Sequence, residues 1–415
     1  MSLTLNLGKA TVNGNEFKAN SEVVIGSSTY SISANSSNLS LGNIGKLELS
    51  NTDITFVAGS DFSGEFKLGD GISSSSSNAS VVAVDFSNAG GAVTFDTANA
   101  SDVVSITGSE YNDKLTSKVN GASINGGEGD DVITFSGEGA ATIVGGIGDD
   151  KINVNGKGAS VSISDEEGDD SYNISGEGAH VTINDDKGAD SLKITGKDVI
   201  AEVSLSGNDN NVVTIDSTAA GINANISVAG GDDTIVSKAD NATLVINSAA
   251  GDDVITISGK ESAVSINADA GDDVITVSGK ESSVSIYAGD GDDVIDITKA
   301  DKSKITIATG LGDNTVKISA ATVSGSVTGG DGKDDTLVIS GANASLSVSD
   351  VENVNLTGKN GFVSVTGGTV NSSAGGATIN AATVNVSDGT AVLENTAISE
   401  LTISKGSVTA NASVT

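Results

Sequence analysis

The amino-acid sequence predicts an all-β fold, a parallel β-solenoid (a β-roll or narrow β-helix) with coils of about 20 residues. A loop rich in glycine and aspartate returns down the chain at nearly constant spacing, and short segments of alternating apolar and polar residues lie between its copies. A fixed period of this length is typical of repeat arrays, in which each unit buries its apolar face by stacking on the next. Strict alternation over a few residues is the pattern of a half-buried strand.

The repeated loop is best preserved at two places. Gly126–Thr134 reads G-G-E-G-D-D-V-I-T, and Gly145–Asn153 reads G-G-I-G-D-D-K-I-N. Gly108–Leu115 is a degenerate first copy. The weaker copies that follow are anchored at Gly168, Gly188, Gly207, Gly231, Gly251, Gly271, Gly291, Gly312 and Gly332.

Each unit between about residues 120 and 340 has the same internal order. The acidic loop comes first, followed by a short strand, a second turn and a second short strand. Ile275 and Val277 are inward positions of one first strand, and Val284 and Ile286 are inward positions of the second strand after it. We therefore expect parallel strands about 4.8 Å apart and a thin aliphatic core.

The composition restricts the classes of partner. The chain of 415 residues has 21 basic and 55 acidic residues and a formal net charge of -34, which favours cations over nucleic acid or anionic membranes. No apolar segment approaches the roughly 18 residues of a membrane span. The chain has no cysteine, and therefore no disulfide framework. The first nine residues lack the features of an N-terminal signal peptide, so none is expected.

The acidic loop has the chemistry of a calcium site. Ca²⁺ takes six to eight oxygen ligands from carboxylates and carbonyls on flexible loops, and glycine lets a backbone turn with positive φ. Stacked carboxylates about 4.8 Å apart repel each other by about 3.5 kcal/mol at an effective dielectric near 20. Simple solvated turns would explain one copy, but eleven copies in register favour a cation between the turns.

The nine-residue pattern G-G-x-G-x-D-x-U-x resembles the calcium-binding repeat of the hemolysin-type RTX family. In that family, glycine carbonyls and aspartate carboxylates of one loop join those of the next loop around a Ca²⁺ ion. The resemblance therefore implies several Ca²⁺ ions as cofactor. The metal-site residues that it implies are Gly127, Gly129, Asp131, Gly146, Gly148, Asp150, Gly168, Asp170, Gly188, Asp190, Asp209, Gly231, Asp233, Gly251, Asp253, Gly271, Asp273, Gly291 and Asp293.

The chain departs from the family pattern in ways that affect the expected sites. The second turn of each unit, for example Ser258–Ser262, has no ligand aspartate, so we expect one row of ions along one edge. The loops at 165–170 and 185–190 carry Asp-Glu and Asp-Asp instead of the leading glycine pair. The Gly207 copy is followed by an insertion, and Asn314 stands at a ligand position. We expect the least well-formed sites in these copies.

Three regions follow from the distribution of the loop. Residues 1–105 alternate without the acidic signature and form an N-terminal β region or cap. Residues 106–340 form the calcium-binding array. Residues 341–415 keep the alternation without the loops, which predicts a calcium-free solenoid or C-terminal cap.

The array and the resemblance favour a structural function. We expect a secreted or bacterial cell-surface protein that folds on binding extracellular calcium and assembles into a surface layer, filament or matrix. Its partner would be a further copy of itself, as a homo-oligomer or polymer joined through the solenoid ends. The stretches Leu3–Leu7 and Leu401–Thr415 alternate and lack proline, and strand edges of this kind pair readily.

A binding module is the alternative. An adhesin, or an ice- or glycan-binding rod, would use a column of outward hydroxyl residues on the second strands, with a surface glycan as one possible partner. The column comprises Thr142, Ser162, Thr182, Ser204, Ser227, Ser265, Ser285, Thr306, Ser326 and Ser347, and Val245 interrupts it. An enzyme is not expected, because His180 is the only histidine and the arginine on which β-helical polysaccharide lyases rely is missing.

Overall fold

A computed structural model gives the fold. It describes residues 82–97 and 103–356 apart from 217, 332, 333 and 342, together with residues 63–68 and the backbone of further strands towards both termini. The described residues include no helix of the length and apolarity that a membrane crossing needs. Contacts divide the chain into two units, Met1–Ala201 and Glu202–Thr415, which are described separately.

The first unit consists of short strands. In chain order they are β1 (Leu3–Leu7), β2 (Ala10–Val12), β3 (Asn15–Phe17), β4 (Glu22–Ile25), β5 (Ser28–Ser31), β6 (Ser33–Asn35), β7 (Asn38–Leu41), β8 (Ile54–Ala58), β9 (Gly64–Leu68), β10 (Val82–Asp85), β11 (Val93–Asp96), β12 (Val103–Thr107), β13 (Lys114–Ser117), β14 (Ala122–Glu128), β15 (Val132–Phe135), β16 (Ala140–Ile147), β17 (Lys151–Val154), β18 (Ser160–Glu167), β19 (Ser171–Ile174), β20 (His180–Lys187) and β21 (Ser191–Ile194).

Two parallel sheets run through the first unit. One joins β1, β8, β10, β12, β14, β16, β18 and β20 in that order. The other joins β7, β9, β11, β13, β15, β17, β19 and β21. Consecutive strands alternate between the sheets, so each pair of strands completes one coil. The antiparallel pairs β2–β3, β4–β5 and β6–β7 depart from this pattern near the N-terminus.

The core of the first unit consists of stacked columns of buried side chains. Because neighbouring coils are in register, Ile143 pairs with Ile163, which pairs with Ile183. In the facing sheet Ile152 pairs with Tyr172. These side chains are all buried, as alternation along each strand predicts.

The second unit has the same construction. Its strands are β22 (Ile200–Leu205, which contains the boundary), β23 (Val212–Ile215), β24 (Asn223–Val228), β25 (Thr234–Ser237), β26 (Thr243–Asn247), β27 (Val254–Ile257), β28 (Ala263–Ala270), β29 (Val274–Val277), β30 (Ser283–Asp290), β31 (Val294–Ile297), β32 (Ser303–Leu311), β33 (Thr315–Ile318), β34 (Val323–Thr328), β35 (Thr336–Ile339), β36 (Ser345–Ser349), β37 (Asn353–Leu356), β38 (Phe362–Thr366), β39 (Thr369–Ser373), β40 (Thr383–Val386), β41 (Gly389–Glu394), β42 (Leu401–Ile403) and β43 (Gly406–Asn411).

Even-numbered strands β24–β42 form one parallel sheet of the second unit, and odd-numbered strands β23–β43 form the other. Ile255, Ile275 and Ile295 stack in one buried column. The parallel β-solenoid with coils of about 20 residues is thus confirmed. The proposed boundaries at 105/106 and 340/341 stay predictions, and the side chains of Leu3–Leu7 and Leu401–Thr415 lie outside the described residues.

Candidate metal sites in the stacked acidic loops

The loop glycines have backbone conformations that favour glycine. Gly127, Gly129, Gly146, Gly148, Gly168, Gly188, Gly231, Gly251, Gly271 and Gly291 all have positive φ. They also stack closely, because a Cβ on Gly271 would lie 2.0 Å from the carbonyl oxygen of Gly251. Both observations exclude a larger residue, since a side chain would be strained at this φ and would collide with the adjacent coil.

The second aspartate of each Asp-Asp pair lies inside the loop and forms what we call the inner ladder. The Asp131 N–H donates to Oδ1 of Asp150 at 2.7 Å, and the Asp150 N–H donates to Oδ1 of Asp170 at 2.7 Å. The ladder continues from Asp170 to Asp190 at 3.0 Å. In the second unit, N–H groups donate in the same way to Asp233, Asp253, Asp273 and Asp293.

The inner ladder uses only one oxygen of each carboxylate. These side chains are buried, with Asp131 and Asp273 each 1% exposed. The Oδ2 atoms that are buried and accept no hydrogen bond belong to Asp131, Asp150, Asp170, Asp233, Asp253, Asp273 and Asp293. Because a buried polar atom without a partner is costly, these oxygens are the clearest candidates for metal ligands.

Asn314 shows what the second terminal atom of an inner side chain faces. Asn314 occupies the inner position after Asp293 and accepts its N–H at 2.9 Å. Its Nδ2 donates to the carbonyl oxygens of Gly312 at 3.2 Å and Leu311 at 3.4 Å. In the preceding loop Gly291 stands at the position of Gly312. A carboxylate oxygen that faces such carbonyls meets negative partial charge, unless a cation lies between them.

The first aspartates of the pairs form an outer ladder that points the other way. Oδ1 of Asp272 accepts the N–H of Asp292 in the following coil at 2.8 Å. Oδ1 of Asp273 instead accepts the N–H of Asp253 in the preceding coil at 2.9 Å. The outer side chains are exposed. Each Asp-Asp pair therefore connects its coil to both neighbouring coils. The inner side chain bonds to the preceding coil, and the outer side chain bonds to the following coil.

Burial raises the pKa values of the inner carboxyl groups, and neighbouring carboxylates raise them further. The pKa of Asp131, Asp233, Asp273 and Asp293 is raised to about 7. The pKa of Asp150, Asp170 and Asp190 is raised to about 8. Ionised carboxylates are thus disfavoured here, and protons or cations can relieve the cost.

The opposite edge of the second unit has a comparable ladder made without charge. The Ser262 N–H donates to Oγ of Ser282 at 3.2 Å, and the Ser282 N–H donates to Oγ of Ser303 at 3.1 Å. A neutral hydroxyl is therefore sufficient to connect neighbouring coils. Compared with serine, an aspartate adds a second oxygen and a negative charge to such a ladder.

The structure places most of the predicted ligand aspartates together. Asp209 does not lie in the inner ladder: it is exposed, and Asn211 takes the inner position and donates its N–H to Asp233. The sequence analysis missed Asp113 and Asp335, which occupy inner positions but have further partners. Asp113 accepts N–H groups of Val93 and Ser109, and Asp335 accepts that of Gly330 at 3.3 Å.

Two groups of three buried carboxylates among the described residues could hold a metal ion. The first consists of Asp150, Asp165 and Asp170, and the second of Asp170, Asp185 and Asp190, with ligand atoms within 4.8 Å of one another in each group. Asp150 belongs to one of the two best-preserved copies of the loop, whereas the other members of both groups lie in the loops expected to have the least well-formed sites. The loop pattern has glycine at the positions of Asp165 and Asp185, so these residues were expected only to weaken the sites. In the structure both carboxylates are buried beside the inner ladder.

Comparison with protein-family models finds no match for the chain, and comparison with curated proteins finds no similar sequence. The geometry of the loops therefore carries the functional argument. Within each unit, stacked and buried aspartates in successive coils could hold metal ions.

Proposed function

We propose that the chain is a calcium-dependent structural protein whose acidic loops bind a row of Ca²⁺ ions. The observation that carries this proposal is the row of buried Oδ2 atoms without a hydrogen bond. Serine makes a similar ladder at the opposite edge, and Asn314 makes one within the row. Aspartate is therefore not needed for the ladder, and its charge is a cost unless an ion is bound.

The chemistry of the donors supports Ca²⁺ as the ion. Carboxylate and carbonyl oxygens on flexible loops suit Ca²⁺, which accepts six to eight of them, better than Mg²⁺, which requires near-ideal octahedral geometry. The ligands of one ion would include the Oδ2 of an inner aspartate and loop carbonyls such as that of Gly291. The pattern of the loop also resembles that of the RTX family, which supports the same ion.

Binding of this kind couples folding to calcium. The inner carboxylates meet only when the coils stack, so Ca²⁺ stabilises the folded chain by mass action. Extracellular modules bind Ca²⁺ at roughly 10⁻⁴–10⁻³ M, far above cytosolic levels. We therefore propose that the chain folds outside the cell, as a secreted or cell-surface protein.

Assembly into a layer, filament or matrix is the part of the proposal that the sequence alone supports. Leu3–Leu7 and Leu401–Thr415 carry alternating β-prone residues, and exposed strand edges add further strands. Analytical ultracentrifugation in Ca²⁺ tests it with the full chain and with variants that lack residues 1–10 or 400–415. Truncation should reduce self-association, and a monodisperse full-length monomer at tens of micromolar would contradict assembly.

The calcium row is tested by counting bound ions. Equilibrium dialysis of the full chain should give several Ca²⁺ ions per molecule, and Asp273→Asn should reduce that number. Asp292→Asn is the matched control, because it removes the same charge from an exposed outer-ladder side chain in the following coil. Equal losses in both variants would indicate nonspecific counterions, and no bound calcium in the native chain would refute the row.

The hydroxyl column supports the binding module as a second candidate. Ser265, Ser285 and Thr306 pair in register on neighbouring strands and are exposed. Such a face could bind a glycan through hydrogen bonds. A glycan screen of the native chain and of a variant with these three residues changed to lysine tests it, because binding should be lost in the variant.

A further inference from the structure

Three neighbouring core positions of the first unit carry polar residues, where most other coils have small or apolar ones. The position three residues before the turn glycine faces inward and holds a small or apolar residue in most coils, for example Gly145, Ala268 and Ala288. In two successive coils this position holds Asp165 and Asp185. The column of Ile133, Ile152 and Leu192 carries Tyr172 in the same region.

These residues meet in one buried cluster, the Asp–Tyr cluster, defined as Asp150, Asp165, Asp170, Tyr172, Asp185 and Asp190. The Tyr172 hydroxyl lies 3.1 Å from Oδ2 of Asp165 and 2.5 Å from Oδ2 of Asp185. The phenol carries one hydrogen, so it can donate to only one of the two carboxylates at a time. The other carboxylate needs a proton or a cation.

Further oxygens in the cluster also lack partners. A Cβ on Gly145 would lie 2.3 Å from Oδ2 of Asp165 and 2.5 Å from Oδ2 of Asp150, so these two oxygens face the same point. Oδ2 of Asp150 and Oδ2 of Asp170 accept no hydrogen bond, and the two residues are 2% and 1% exposed. The cluster therefore contains buried acceptors that its own donors do not satisfy.

We propose that the Asp–Tyr cluster is a pair of adjacent cation sites that share Asp170, and that these sites bind Ca²⁺ more tightly than the other acidic loops do. Asp150, Asp165 and Asp170 form the first site, and Asp170, Asp185 and Asp190 form the second. Tyr172 lies between the sites and positions Asp165 and Asp185. The proposal rests in part on the proposed calcium row, with which it shares three aspartates.

The charge of the cluster explains the tighter binding. Five ionised carboxylates carry a charge of -5, and two divalent ions reduce it to -1. The corresponding coils of the second unit have Ala268 and Ala288 instead of additional carboxylates. Because calcium affinity rises with the number of charged ligands, the cluster should fill first as the calcium concentration increases.

The experiment uses Tb³⁺ as a probe that takes the same oxygen ligands and emits when a nearby tyrosine is excited. Tyr172 is buried in the cluster, whereas Tyr111 and Tyr287 are exposed. Tb³⁺ added below stoichiometry to the full chain should give tyrosine-excited emission that Ca²⁺ displaces. Tyr172→Phe should abolish this emission, while Tyr111→Phe and Tyr287→Phe should leave it unchanged.

The aspartates are tested by returning them to the residue that the chain uses elsewhere. Asp165→Ala with Asp185→Ala should weaken binding of the first ions by about tenfold or more and abolish the emission. Glu166→Gln is the control, because Glu166 lies in β18 beside Asp165 but is exposed. If the double variant does not fold, adding Tyr172→Ile reproduces an ordinary aliphatic coil, and this triple variant should fold without the tight sites.

The outcomes separate this proposal from the calcium row. Unchanged emission in the double variant, or emission that does not depend on Tyr172, overturns the paired site. If the row fails but the cluster is correct, Asp273→Asn will leave calcium binding unchanged while the Tyr172-dependent emission persists.

Discussion

The backbone N–H of Asp273 donates a hydrogen bond of 2.9 Å to Oδ1 of Asp293 in the following coil, while Oδ2 of Asp293 accepts none. The two oxygens of one carboxylate thus have different roles. Its first oxygen connects the coils whether or not an ion is present, and its second oxygen is available to a ligand.

The stability of the calcium-free chain should fall as pH rises. The pKa of Asp150 is raised to about 8 and that of Asp273 to about 7, both above the usual value of 3.8. The folded chain therefore binds more protons than the unfolded chain, so this stabilisation is complete below about pH 4 and is lost as pH rises through 7–8. Circular dichroism with chelator from pH 4 to 9 should show the loss, and millimolar Ca²⁺ should restore structure at pH 8. Higher calcium-free stability at pH 8 than at pH 5 would contradict the prediction.

Asp273→Asn should change the stability in opposite directions with and without calcium. Asparagine keeps the ladder, as Asn314 does, and removes a buried charge. At pH 8 in chelator the variant should be more stable than the native chain by about 1 kcal/mol or more, and in saturating Ca²⁺ it should be less stable. Urea unfolding under both conditions measures the difference. Asp292→Asn, on the exposed outer ladder, should show no such reversal.

Gly271→Ala should destabilise the fold severely. The added Cβ would lie 2.0 Å from the carbonyl oxygen of Gly251, and φ at Gly271 is 143°. We expect a loss of about 3 kcal/mol or more, by analogy with other strained and overpacked positions. Gly178→Ala is the control, because Gly178 also has positive φ (68°) but no atom within 4 Å of the added Cβ. Its cost should be only about 1 kcal/mol, and equal melting temperatures of the two variants would count against the glycine stack.

Ser282→Ala should destabilise the chain independently of calcium. Oγ of Ser282 accepts the N–H of Ser262 and donates to the carbonyl of Lys280. Removing it leaves a buried N–H without its acceptor, at a cost of about 1–3 kcal/mol. Thermal unfolding should show the same loss in Ca²⁺ and in chelator, unlike Asp273→Asn. A loss that appears only in Ca²⁺ would mean that the two edges are coupled.

The fold could be predicted because a solenoid repeats one simple pattern. Alternation in strands such as β27 and β29 identifies Ile255 and Ile275 as inward residues, and the constant spacing stacks them. The loop glycines were predicted for the same reason, since a tight turn that recurs in register requires positive φ at the same place each time.

The differences between the expected and the observed inner residues have local causes. In the coil with the insertion, motif spacing selected Asp209, but the inner residue directly precedes the first strand of its coil, as Asp131 precedes Val132. Asn211 precedes Val212 in the same way. Asp165 was missed because the motif assigns its position to glycine. Alternation with Val161 and Ile163 indicated that it faces inward, but only the structure shows Tyr172 opposite it.

The two ladders also make neighbouring coils interchangeable. In the second unit, each Asp-Asp pair offers its outer carboxylate to the coil after it and its inner carboxylate to the coil before it. The coils that begin at Gly251 and Gly271 present the same ladder donors and acceptors on both sides. In-frame duplication or loss of a single coil would therefore keep both ladders matched at the junction. A chain that gained or lost one such coil would therefore keep both ladders continuous, with the same spacing between its neighbouring Asp-Asp pairs.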